Sequence, residues 1–400
     1  MAFFGGDVAC GGLGDRCPRE TGKTGDLENA FWDCIFFMSW VMRGRLLAEM
    51  KRRNDMHEIQ LAGTREELGR AYGEIIAERK LNRWWRAPSE QKLAFVRACE
   101  ETIAEHAPGY LDELRGLADA SHSDYDLVLS NMIVTYFADI PSCNVVAMSG
   151  SQTARGRTIF VRNHDWIDED KEAITCFRTA LEDGLRHIAF GFTDPGRYDG
   201  MNEDGLAIGG SSIPFYTGTP KPGLRMNVVT RYVLDTCPDV MSAVAFMKRI
   251  PHMEGFAYLL ADESGRVARV EVAPEGVDVT ITENGALYTV NRFQSDPLAS
   301  LSEVPDDNMI HTYQHRIEAW AEKHMGRLDI PSAVAFCSDH DEGICDHGCH
   351  MTVPGGTIYS WVGALGQGEI HLAHGRPCEN AHRLYKLEPH RPTRSLDESG

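Results

Sequence analysis

Cys143, Arg162, Asn163 and Asp165 are the residues whose types and spacing best suit covalent chemistry. All four lie in one stretch, residues 143–166, CNVVAMSGSQTARGRTIFVRNHDW. Two apolar or β-branched runs, 144–149 and 158–162, flank a polar loop with two glycines, which predicts a β-hairpin. Pairing about a midpoint at residue 154 sets Cys143 opposite Asp165, with Arg162 and Asn163 one or two places away. A thiol beside a carboxylate, a guanidinium and an amide suits a nucleophile whose protonation and orientation are controlled. A strand cysteine otherwise reads as a small buried hydrophobe. The Ser142–Cys143 junction separates the two readings. A helical segment and Pro141 precede it, and the hairpin begins at Cys143 itself. A cut before Cys143 would leave an α-amine, of pKa about 7.7–8.0, able to act as base for its own thiol.

The elements that must position these groups are legible as periodic runs. Residues 57–62 read as a strand. Thr64 with Glu67 forms a capping box for the helix that follows. Further helices are expected over 89–106, 108–120 and 126–137. Beyond the hairpin, strands are expected at 187–192 and 206–212, and helix at 225–249, broken near Pro238. Hairpins are expected over 256–273 and over 277–290, the second around Asn284-Gly285. A helix over 309–325 and strands at 357–362 and 369–373 close the chain. This pattern is α+β and antiparallel.

The stretch 143–166 resembles the start of the mature chain in N-terminal-nucleophile hydrolases. It is most similar to the family of acyl-coenzyme A:6-aminopenicillanic acid acyltransferase, with choloylglycine (bile-salt) hydrolases and acid-ceramidase-like amidases as cousins. Four phrases extend the resemblance along the chain: IQLAGTREELGRAYGE (59–74), PGYLDELRGLADA (108–120), GMNEDGLAIGGSS (200–212) and YTVNRF (288–293). It implies a four-layer α-β-β-α sandwich. It also implies self-cleavage between Ser142 and Cys143 and an acyl-enzyme on Cys143. Asp165 falls in the family's N-x-D stretch, and Arg162 completes an R-x-x-D in which the arginine favours the thiolate. Asn291 matches the asparagine that donates its amide to the oxyanion, with Val290 standing where the motif has threonine. Ser212 stands where bile-salt hydrolases place an oxyanion asparagine, and Arg316 where both families place an arginine. Arg162 reads equally as a solvated strand-end charge, and Arg316 as a helix-surface ion-pair partner.

Composition narrows the function. Net charge is −19 over 400 residues, which opposes any sequence-independent grip on nucleic acid. Eleven scattered cysteines suggest a reducing, cytoplasmic setting. Residues 1–26 lack the apolar run of a signal peptide. The run 30–42 is too short to span a bilayer and carries Asp33, so a membrane partner is not expected. It reads as an interfacial helix or as cover for an apolar patch. The chain therefore divides into an extension (1–55), a mainly helical propeptide-like segment (56–142) and a catalytic segment (143–400), with 56–400 as one folded unit. Expected partners are a small-molecule N-acyl amide or acyl-thioester and, after cleavage, the two fragments held to each other; a homo-oligomer is allowed. No cofactor is expected, acyl-coenzyme A entering only as an acyl-donor substrate.

One cluster competes with this reading. Residues 337–350, CSDHDEGICDHGCH, hold Cys337, His340, Cys345, His347, Cys349 and His350. Their composition suits a metal. Their spacing is more compact than the usual paired ligands, so no metal is expected. The alternative reading is a metal-stabilised binding or scaffold protein in which Cys143 is inert.

Overall fold

Thr64 and Glu67 cap each other's backbone and start the first helix, a local device worth about 1 kcal/mol. The structure, a computed structural model, describes residues 56–133, 143–192, 194–348 and 354–387. The extension 1–55, Ser142, Cys349 and His350 lie outside the described residues.

Strand β1 (His57–Gly63) leads into α1 (Arg65–Glu78), α2 (Glu90–His106), α3 (Pro108–Ala120) and α4 (Tyr125–Met132). Helices α1 and α3 approach until their backbones touch: a Cβ on Gly69 would lie 2.0 Å from the Glu113 carbonyl, and one on Gly116 2.2 Å from that of Glu66. Gly73 likewise leaves no room for a Cβ, which would lie 2.6 Å from the Leu117 carbonyl, so Gly69 and Gly73 of the 59–74 phrase serve helix packing.

Next come β2 (Cys143–Met148), β3 (Ile159–Ile167), β4 (Thr175–Leu181), β5 (His187–Gly191), β6 (Asp199–Asn202) and β7 (Ala207–Ser212). Helices α5 (Met226–Thr236) and α6 (Val240–Arg249) break around Pro238 as expected. They are followed by β8 (Phe256–Ala261), β9 (Val267–Ala273), β10 (Gly276–Thr282), β11 (Ala286–Thr289) and the short α7 (Asp296–Ala299). Then α8 (Met309–His324), α9 (Ile330–Ser338), β12 (Gly355–Ala364), β13 (Glu369–His374) and β14 (Arg383–Lys386) complete the described chain.

The strands form two sheets, ordered β1-β4-β5-β6-β7-β8-β9-β10 and β11-β2-β3-β12-β13-β14. Only the β1–β4 pair among the described strands is parallel. Three apolar cores define the layers. Helices α1–α6 pack on the outer face of the eight-stranded sheet. A second core, with Val145, Phe160, Phe190, Leu259 and Trp361, lies between the sheets. A third joins the outer face of the six-stranded sheet to α8 and α9. The architecture is a four-layer α-β-β-α sandwich.

The expected hairpin over 277–290 does not form. β10 pairs with β9 on the edge of one sheet, and β11 pairs with β2 on the edge of the other. The Asn284-Gly285 turn carries the chain between sheets, anchored where the Gly285 carbonyl accepts from the Ser149 N–H at 2.9 Å. Strands β4, β6 and β14 and helix α9 were not anticipated. Helix α4 spans Tyr125–Met132, and residues 134–137 of the helix expected over 126–137 lie outside the described residues.

Candidate active site

The hairpin forms, one residue out of the expected register: Cys143 pairs with His164 and Asn144 with Asn163. A one-residue slip turns every side chain to the other face. Cys143, Arg162 and His164 therefore share the face directed at the other sheet. Asn144, Asn163 and Asp165 face the helical layer of α8 and α9. β3 is buried along its whole length, so no polar face in IFVRNHDWI reveals which parity is which.

On the inner face the thiol meets a buried cation. Arg162 Nη2 lies 3.3 Å from Cys143 Sγ and 2.8 Å from His164 Nδ1, while Nε donates to Asp199 Oδ2 at 3.1 Å. Tyr359 donates its hydroxyl to Asp199 Oδ2 at 2.6 Å, and Trp361 donates Nε1–H to Oδ1 at 2.8 Å. Burial pushes the Cys143 thiol above its ordinary value, and the Arg162 charge opposes that rise. Burial would likewise raise Asp199, but the Arg162 charge and the Tyr359 hydrogen bond outweigh it and hold the carboxyl low. His164 is pushed down to about 4, chiefly by burial, and is neutral. The cluster is thus a guanidinium fixed by one carboxylate, with one hand on a thiol.

Asn291, at the end of the β11 segment, reaches the backbone of the same cysteine. Its Oδ1 accepts the Cys143 N–H at 2.9 Å, and its Nδ2 donates to the Ser212 carbonyl at 3.0 Å. Ser211 donates its hydroxyl to the Cys143 carbonyl at 2.6 Å. Cys143 is held at its nitrogen, its carbonyl and its sulfur by three different strands or strand ends.

Three expected positions need correction. The Asp165 carboxylate does not hold the Cys143 nitrogen. It accepts from Thr357 Oγ1 at 2.5 Å and Asn144 Nδ2 at 3.2 Å on the opposite face, where burial and nearby Asp346 push its pKa well up. Only its backbone carbonyl meets the thiol, at 3.8 Å. Asn163 also turns away and donates to the Cys337 and Ile344 carbonyls. Arg316 donates to the Gly343 carbonyl at 3.3 Å and lies over the Tyr313 ring, lining a groove between α8 and α9. Cys143, Arg162, Asn291 and Ser212 do come together.

Sequence reasoning missed His164, Asp199, Ser211, Tyr359 and Trp361. Asp199 sits in RYDGMN at the start of β6, and a carboxylate beginning a buried strand was the available signal. Tyr359 and Trp361 lie on β12, which pairs with β3 from the far end of the chain. No local pattern connects them to Cys143.

The family model for acyl-coenzyme A:6-aminopenicillanic acid acyl-transferase matches residues 152–378, more than half of the chain. That span begins beyond Cys143 and includes Arg162, Asp199, Asn291 and Tyr359. No curated protein matches the chain. Among solved structures, penicillin V acylase from Agrobacterium tumefaciens aligns at 17% identity over 58% of this chain and 83% of its own, with a TM-score of 0.45. A mutant of the conjugated bile acid hydrolase from Clostridium perfringens aligns at 16% identity over 62% and 98%, with a TM-score of 0.42. The Caenorhabditis elegans ortholog of N-acylethanolamine-hydrolyzing acid amidase aligns at 14% identity over 56% of this chain and 92% of its own, with a TM-score of 0.40. Among the described residues no helix is long and apolar enough to cross a membrane.

Proposed function

The chain belongs to the acyl-coenzyme A:6-aminopenicillanic acid acyl-transferase family of N-terminal-nucleophile enzymes, and we propose that it is an amidohydrolase or acyltransferase with Cys143 as nucleophile. In the maturation step the Cys143 thiol attacks the Ser142 carbonyl and the peptide C–N bond breaks. The acyl group passes from nitrogen to sulfur, and water opens the resulting thioester. Cys143 then carries a free α-amine, whose neutral form takes the thiol proton.

In turnover the thiolate adds to the carbonyl of an N-acyl amide or acyl-thioester. The tetrahedral oxyanion collapses and expels the protonated amine or the thiol. Water or an acceptor amine then takes the acyl group from Cys143. Arg162 lowers the cost of the thiolate by its charge. Asn291 holds the α-amine through Oδ1 and offers Nδ2–H toward the oxyanion. Asp165 is a positioning residue, tying β3 to β2 through Asn144 and to β12 through Thr357. Whether water or an amine accepts the acyl group depends on how far the acceptor pocket excludes water. An amide of a small or β-lactam-like amine fits the family.

The observation that carries this reading is the convergence of Arg162 and Asn291 on the sulfur and nitrogen of one cysteine. Mass spectrometry and N-terminal sequencing test it. We expect fragments ending at Ser142 and starting at Cys143, and neither cleavage nor turnover in Cys143→Ala. An intact chain with full activity would refute both the cut and the role of the α-amine.

A further inference from the structure

We propose that His340, Cys345, His347 and Cys378 bind one structural zinc ion. The ligand atoms of these four residues all lie within 4.8 Å of one another. His347 Nε2 is 3.1 Å from His340 Nε2 and 3.3 Å from Cys378 Sγ. Zinc bonds of about 2.0–2.1 Å to nitrogen and 2.3 Å to sulfur give a tetrahedron with edges of roughly 3.3–3.8 Å. One imidazole nitrogen carries either one proton or one lone pair. It cannot satisfy a second imidazole nitrogen and a thiol together, whereas a central cation takes a lone pair from each of the four. Two imidazoles with two thiolates suit tetrahedral zinc, and the absence of carboxylates from the set disfavours calcium and magnesium. Two thiolates also neutralise the ion's charge.

The compact spacing within 337–350 argues against a metal only if every ligand must come from that segment. The fourth ligand comes instead from Cys378, past β13. Cys337 takes no part: it lies on α9, buried in the core that this helix forms with the six-stranded sheet. Cys345 and His347 are two residues apart, so an extended chain presents both on one side, with buried Asp346 between them. Gly348 then turns the chain at φ +68°, where a Cβ would lie 2.4 Å from the Gly355 carbonyl.

Both ligand loops are built independently of any ion. The Asp339 carboxylate accepts from the Asp341 and Glu342 N–H groups, and its carbonyl from Cys345. Ser338 ties the end of α9 to the Pro377 carbonyl, next to Cys378. The first loop also supports the rear of the hairpin. Ile344 accepts from Asn163, and Asp346 exchanges hydrogen bonds with Thr357, which holds Asp165. Zinc would clasp this brace shut.

Metal analysis of the full chain, purified from zinc-supplemented medium, tests the proposal. We expect about one zinc per chain and, after cobalt(II) exchange, the visible bands of a tetrahedral thiolate site. Cys378→Ser and His340→Asn should each weaken zinc in chelator competition by more than about a hundredfold, beyond what changes around a ligand cause. Circular dichroism confirms that each variant is folded. The exposed His340 provides the variant least able to disturb the fold. Wild-type protein with less than about a tenth of an equivalent of zinc would overturn the proposal. So would undiminished zinc in both variants, or an intact mass showing a Cys345–Cys378 disulfide in place of metal.

Discussion

Two buried arginines, Arg162 and Arg231, sit in opposite halves of the sandwich with different company. Arg231, on α5, is closed in by carboxylates. Its Nη1 donates to Glu113 at 3.1 Å, and its Nε to both Asp235 oxygens at 3.0 and 2.8 Å. Asp235 in turn takes Arg65 and lies 3.3 Å from His187. Burial would raise the Asp235 carboxyl, but the Arg231 and Arg65 charges outweigh it and hold it low. Arg162 has one carboxylate, Asp199; its other contacts are a thiol, a neutral imidazole and the Asn163 carbonyl. The first arrangement pins helices to a sheet. The second leaves positive potential at a sulfur. Burying a guanidinium is costly either way, and the number of carboxylates given to it decides whether its charge is absorbed or kept for chemistry.

The sharpest way to break this contrast is to remove each cation. Arg162→Met and Arg231→Met should each destabilise the fold by about 3–5 kcal/mol, because each strands a buried carboxylate; denaturant melts read this. Only Arg162→Met should move the pH profile of Cys143 alkylation upward. With Arg162→Lys as the milder variant, an unchanged alkylation profile would remove the guanidinium from the thiol's electrostatics.

A smaller effect comes from the histidine in each cluster. Burial pushes His164 to about 4 and His187 to about 3, from an ordinary 6.5. Both are neutral when folded and gain a proton on unfolding below pH 6.5. The unfolded chain then binds more protons, so stability is full above pH 6.5 and falls as pH drops toward 4. Each histidine contributes up to about 1.4 kcal/mol per pH unit in that window. Melting temperatures across it should show the slope, and His187→Asn should flatten it without changing Cys143 alkylation. A slope untouched by either histidine's replacement would count against their neutral burial.

The smallest expected change is at Arg316. Its guanidinium serves the Gly343 carbonyl and the Tyr313 ring, so Arg316→Ala should leave acyl transfer within about twofold, as surface changes usually do. A loss of several orders of magnitude would return this residue to the site.

The nucleophile's neighbourhood along the chain was legible, and its neighbourhood across the sheets was not. Cys143, Arg162 and Asn291 could be named because motif and hairpin pattern are local. The register could not be fixed. Both faces of β3 are buried, and the loop before it contains a short turn at Gly150–Gln152 and a bridge from Thr153 to Leu328. That uncertainty alone moved Asp165 to the wrong face. Asn284-Gly285 gave a correct turn and an incorrect pairing, because turn chemistry says nothing about which sheet receives the next strand. Asp199, Tyr359 and Trp361 come from β6 and β12, and only the packing of two sheets brings them to Cys143.

The parallel pairing of β1 with β4 carries a consequence for a chain cut before Cys143. Residues 57–63 lie ahead of the cut, yet they form the edge of a sheet whose other strands all lie beyond it. The smaller product would remain woven into the larger one by a ladder of backbone hydrogen bonds and the shared core of α1–α6. Renaturation of the cut enzyme would then be a meeting of two molecules, slowing on dilution, whereas the uncut precursor would refold at a rate independent of its concentration.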